Sequence, residues 1–292
     1  MNKSILSIYL FMSVLLLSSC KKDEPETEMP EPTYETNQSY TLSDVSYGND
    51  AQQTMDVYLP AGRNSSQTKV FVLIHGGGWS SGDKADYTEF FNSLKGLYPT
   101  YAIININYRL ATSSSPGYPK QINDIEAALA HAQQAKYNLS AQYMLFGASA
   151  GGHLSMLYAY AFDTNHQVKA ICNTVGPADL TDTAYTNNIL LMAVIGGLVG
   201  DAVYNYQANE SLFIEVSPAK RVTSSSPPTI SFYGDADPLV PSSQMPLLHD
   251  ALDANSVYNE DIMYQGAGHG TWNNEQMQDY VLRIMNFINL HF

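Results

Sequence analysis

Basic residues are scarce in this chain: 14 lysines and arginines stand against 28 acids, a formal charge of −14. A surface of that sign repels phosphate backbones, so nucleic acid is not an expected partner. Cysteine is scarcer still, with only Cys20 and Cys172. Cys172 sits in the apolar run VKAICNTV and reads as a buried structural thiol rather than a reactive one. No cluster of His, Cys and Asp shows metal-ligand spacing, so neither a metal nor another cofactor is expected. There is no internal repeat, and no apolar stretch reaches the roughly 20 residues of a spanning helix.

What is present begins with an apolar run from Ile5 to Leu17 behind Lys3, which suits the h-region of an export signal. Its end, Leu17-Ser18-Ser19-Cys20, resembles the bacterial lipoprotein signal, in which the cysteine becomes the lipidated N-terminus. Residues 1–20 are therefore expected to be a lipoprotein signal peptide, with lipidation at Cys20 the one expected membrane contact. The following KKDEPETEMPEPTYETNQ is acidic and proline-rich, and residues 21–38 read as a solvated tether. Its opening Lys-Asp-Glu also resembles the signal that sends some Bacteroidetes lipoproteins to the outer cell face. The expected location is the outer membrane of an exporting bacterium, exposed at the surface.

The 45% apolar content supports a substantial core in the remainder, residues 39–292. Here MDVYLP, VFVLIH, AIININY, YMLFGAS, VKAICNTV, PTISFYGD and DIMYQG read as strands, several of them apolar throughout. Helical patterns over 120–136, 151–161, 243–254 and 274–290 alternate with them. Such alternation predicts an α/β fold: a mostly parallel twisted sheet with helices on both faces. Residues 179–217 break the rhythm with NNILLMAVIGGLVGDAV, too glycine-interrupted and short to cross a membrane. We expect a small cap or pocket wall there, with a core helix under the sheet edge as the alternative.

One short stretch concentrates the chemistry. LFGASAGGHLS places Ser149 between a strand and a helix in the pattern G-x-S-x-G. Gly147 and Gly151 remove side chains where a sharp turn brings the two elements together. A serine hydroxyl is a weak nucleophile and needs a base, which in turn needs an orienting acid. His153 follows too closely on Ser149 to reach back, whereas His269 lies in the glycine-rich loop QGAGHGTW after the last strand. For the acid, YGDADPLVP offers Asp237, with Asp235 as a close alternative. The glycines of HGGGW, 76–78, bring backbone N–H groups near a developing oxyanion, with the N–H of Ala150 as their partner.

HGGGW, NYRL, GASAGG, SPAKRV, GDADPLV and GAGHG, in this order, resemble the α/β-hydrolase carboxylesterases. They are most similar to the hormone-sensitive-lipase-like and feruloyl/acetylxylan-esterase-like branch. The resemblance implies an α/β-hydrolase fold and a triad of Ser149, Asp237 and His269. It also implies an oxyanion hole from Gly77, Gly78 and Ala150, and a His75 that organises the glycine loop. Where lipase-like members read NYRLAPE, this chain reads NYRLATSSSPGYP, which favours the smaller feruloyl/acetyl-esterase type. The implied substrate is a short-chain or aromatic acyl ester, borne on a small molecule or an acylated polysaccharide. An arylformamidase, a serine peptidase and a silent binding module are the competing readings. Ala148 occupies the position where prolyl-oligopeptidase types carry an aromatic residue.

Overall fold

Val70–Ile74 forms a fully buried strand, and its alternation explains the layering of the molecule. Val70, Val72 and Ile74 face one apolar layer, while Phe71 and Leu73 face the other. A strand buried on both faces has to be apolar throughout, which is why it reads as a continuous run. The computed structural model describes residues 33–292. The signal peptide, Cys20 and the tether as far as residue 32 lie outside the described residues.

The strands are β1 Tyr40–Ser46, β2 Thr54–Leu59, β3 Val70–Ile74, β4 Ala102–Ile106, β5 Tyr143–Ala148, β6 Val168–Thr174, β7 Thr229–Gly234 and β8 Asn259–Tyr264. They form one sheet in the order β1-β2-β4-β3-β5-β6-β7-β8. The pairs β1–β2 and β2–β4 are antiparallel, and every other neighbouring pair is parallel. The helices are α1 Thr88–Leu97, α2 Lys120–Ala132, α3 Ala150–Ala161, α4 Thr183–Thr186, α5 Ile189–Val199, α6 Glu210–Glu215, α7 Gln244–Ala254 and α8 Asn274–His291. One layer packs Ile125, Leu154 and Leu248 from α2, α3 and α7 on the sheet. The opposite layer packs Phe91 and Leu94 of α1 with Ile284 and Phe287 of α8. Cys172 is buried in this second layer, as its apolar surroundings predict.

Two expectations need correction. The tether does not extend through residue 38, because the compact unit begins at Tyr34. The Tyr34 ring stacks on Tyr137 at 5.8 Å. The guanidinium of Arg63, only 3% exposed, donates to the carbonyls of Tyr34 at 2.6 Å, Gln38 at 2.8 Å and Tyr137 at 2.9 Å. A buried cation has to find acceptors, and it recruits the chain entering the domain to supply them. The second correction concerns residues 189–208. Counted with the 3-10 turns that follow α5, Ile189–Ala208 is 20 residues long, with mean hydropathy 1.5, enough by length and composition to span a membrane. Gly200 at φ +63° and non-helical dihedrals at Asn205 break the run into short pieces. Each piece alone is too short to span.

Candidate active site

Ser149 sits between β5 and α3 at φ +54° and ψ −123°, a backbone conformation that non-glycine residues rarely adopt. The turn is enforced by contact. A Cβ at position 151 would lie 2.0 Å from the carbonyl oxygen of Ile74, so α3 can start this close to β3 only with glycine there. The Ser149 N–H donates to Thr174 O at 2.8 Å, which ties the turn to β6. Serine is a favourable residue at a helix start because its hydroxyl caps the first turn. Ser149 occupies that position and makes no such cap. The strain therefore holds a hydroxyl that does no structural work at the C-terminal edge of the sheet.

His269 Nδ1–H donates to Asp237 Oδ2 at 2.7 Å. The carboxylate is 1% exposed and the imidazole 23%. Asp237 is itself oriented, since its Oδ1 accepts the N–H groups of Leu239 at 2.8 Å and Val240 at 3.0 Å. Because a carboxylate can only accept, Nδ1 carries a proton, and in the neutral ring Nε2 keeps its lone pair. The alternative acid, Asp235, turns away to accept the Gly266 N–H at 2.5 Å, pinning the loop that carries the histidine. That loop reaches the Ser149 edge through its neighbours. A Cβ at Gly270 would lie 3.8 Å from Val175, the residue after the Thr174 that holds the Ser149 N–H. The Ser149 hydroxyl makes no hydrogen bond to His269 among the described residues. Serine–histidine contacts of this kind are often loose before substrate binds.

The glycine loop follows β3 with three successive residues at positive φ: Gly77 at +113°, Gly78 at +56° and Trp79 at +62°. The N–H groups of Gly77, Gly78 and Ala150 donate to no acceptor among the described residues. Each is thus available to an incoming oxygen, and the N-terminus of α3 adds its dipole. His75 is buried, and burial lowers its pKa, so it stays neutral. Its Nδ1–H donates to Gly76 O at 2.7 Å, the organising role expected of it.

Two supports were not legible in the sequence. Tyr108 stacks on the His75 ring at 4.2 Å, and its hydroxyl donates to His75 O at 2.9 Å. Trp79 Nε1–H donates to His153 Nδ1 at 3.3 Å, and His153 Nε2–H donates to Val216 O at 2.7 Å. Burial lowers the His153 pKa to about 4, against a smaller opposing effect of the Val216 carbonyl. A neutral ring therefore links the glycine loop, α3 and the far end of the 179–217 excursion. The NYRL and HGGGW motifs contain Tyr108 and Trp79, but only the fold shows what they touch.

Residues 55–252 match the BD-FAE family of α/β-hydrolases. The chain belongs to that family. It is 27% identical to esterase LipC of Mycobacterium tuberculosis over 77% of its own length and 59% of that protein's. Esterase LipQ of the same organism is 27% identical and is spanned over 52% of its length. This chain thus corresponds to between half and three fifths of these relatives. Among solved structures, a bifunctional GH43-CE protein of Bacteroides eggerthii superposes with TM-score 0.69 and 25% identity, covering 84% of this chain and 38% of that one. A truncated carbohydrate esterase from gut microbiota superposes with TM-score 0.65 and 22% identity, covering 87% of this chain and 98% of that one. The sheet order and these superpositions agree on the α/β-hydrolase fold.

Proposed function

We propose that this BD-FAE family member is a serine carboxylic-ester hydrolase that acts through an acyl-enzyme on short-chain or aromatic acyl esters of carbohydrates. The observation that carries the reading is the pairing of an oriented His269–Asp237 dyad with an uncapped, strained Ser149 at the same sheet edge. Nε2 of His269 takes the Ser149 proton as Oγ attacks the ester carbonyl, and the Asp237 carboxylate stabilises the imidazolium. The oxyanion is received by the N–H groups of Gly77, Gly78 and Ala150. His269 then protonates the departing alcohol, and water cleaves the acyl-enzyme by the same steps reversed. The carbohydrate as alcohol is supported by the structural relative described as a carbohydrate esterase from gut microbiota.

The test is turnover of acetyl, feruloyl and decanoyl aryl esters by the full chain. Ser149→Ala is expected to lose about 10⁶ in kcat while keeping its melting temperature. Fast acetyl or feruloyl cleavage with weak decanoyl cleavage supports the reading, whereas substantial turnover by a folded Ser149→Ala protein overturns it. Anchoring at the outer membrane through a lipidated Cys20 belongs to the same proposal. Incorporation of labelled palmitate, abolished in Cys20→Ala, is the expected result.

A further inference from the structure

Beside the site, α4, α5 and the 3-10 turns over Gly200–Ala208 enclose a cleft of about 650 Å³. One of its helices is in contact with the candidate oxyanion loop. On α5, a side chain at position 197 would meet the Gly78 carbonyl at 2.7 Å, and one at Gly78 would touch Val194 at 3.4 Å. The helix that walls the cleft is the helix that rests on the oxyanion loop.

The chemistry of the lining is unusual for a surface this acidic, because among the described residues no Asp, Glu, Lys or Arg contributes to it. Tyr204 presents its ring to solvent at 86% exposure, while Tyr206 is held edge-on against Phe213 at 4.9 Å. Around them stand Asn187, Asn205 and Gln207, and Ile189, Met192 and Val203 add apolar surface. The side-chain amides of Asn187 and Gln207 make no hydrogen bond among the described residues. An anionic ligand finds no cation in the lining among the described residues. An alkyl chain would cover these amides without pairing them, at a desolvation cost. A sugar ring fits both parts of the surface: its C–H face stacks on an exposed tyrosine, and its hydroxyls pair with amide donors and acceptors.

We propose that this cleft is a subsite for a neutral oligosaccharide, receiving sugar units next to the one that carries the ester. Tyr204 is its stacking platform, and Asn187, Asn205 and Gln207 are its hydrogen-bonding groups. The assignment rests on the ester-hydrolase reading of Ser149 and specifies the alcohol side of that reaction.

The experiment compares the full chain with Tyr204→Ala on acetylated xylo-, manno- and cello-oligosaccharides and on 4-nitrophenyl acetate. The kcat/KM for at least one oligosaccharide is expected to fall about tenfold through KM, with the small aryl ester unchanged. A parallel titration of Ser149→Ala with the deacetylated sugars should show binding that Ser149→Ala/Tyr204→Ala lacks. Equal kinetics of wild type and Tyr204→Ala on every acetylated sugar overturns the cleft assignment and leaves the esterase intact. A loss confined to decanoyl esters also overturns it, by making the occupant an acyl chain. If wild type hydrolyses no ester, the esterase reading fails. Tyr204-dependent sugar binding by Ser149→Ala then still sustains the cleft.

Discussion

At the scale of single residues, the candidate site stores strain at the proposed nucleophile. Ser149 at φ +54° carries a penalty of about 1–3 kcal/mol that glycine would not. Ser149→Gly should therefore be inactive yet melt at a higher temperature than Ser149→Ala. Equal melting of the two would remove strain from the account of the elbow. The two aspartates of the YGDADP loop separate just as sharply. Asp237→Asn, which leaves the shape but misdirects the imidazole tautomer, is expected to lower kcat by about 10⁴. Asp235→Asn should keep near-normal turnover, because among the described residues Asp235 serves only the Gly266 N–H. Steady-state kinetics on an acetyl ester distinguishes them. The sequence alone left both aspartates open, since two carboxylates two residues apart in a loop differ only in where the loop points them.

At the scale of elements, the strands were the easiest to read, because parallel strands covered on both faces read as nearly continuous apolar runs. The helix α1 went unread. It is ten residues long and buries only Phe91 and Leu94. Also invisible were links across long separations, above all Trp79 to His153, 74 residues apart. That link carries two predictions. Trp79→Phe keeps the packing and removes the donor; it should cost about 1 kcal/mol in stability and lower kcat by loosening the glycine loop. Thermal melting and kcat on the acetyl ester, measured together, check this. The second concerns acid. The unfolded chain takes up a proton on His153 near pH 6.5, whereas the folded ring refuses one until about pH 4. Folded-state stability thus falls as pH drops through that window, by as much as about 3 kcal/mol, and is indifferent to this group above it. A His153→Gln protein should be less stable at pH 7 and lose less between pH 6.5 and 4.5 in denaturant titrations.

At the scale of the whole molecule, the composition predicted an exported, acidic, single-core protein but placed the start of the core too late. An acidic, proline-bearing segment gives no sign that its last residues are claimed by a buried cation far along the chain. Removing residues 1–38 takes the Tyr34 and Gln38 carbonyls from Arg63, while removing residues 1–32 leaves them. The shorter protein should be less stable by about 2 kcal/mol, seen as a lower denaturant midpoint. Equal midpoints would mean that Arg63 finds replacement acceptors. The loops that carry Ser149, Asp237 and His269, by contrast, could be placed at one edge from the strand order alone, because a doubly wound sheet gathers the loops after β5, β7 and β8 there.

Cys172 lies on β6 near the centre of that sheet, sealed beneath α8, with burial driving its pKa up. If Cys20 is lipidated as proposed, Cys172 is the one thiol a soluble disulfide reagent can find, and only when the sheet around β6 opens. The half-life of that reaction is a clock for opening. Where reclosing is fast it reports the population of the open state, and at high reagent concentration it reports the rate of opening itself.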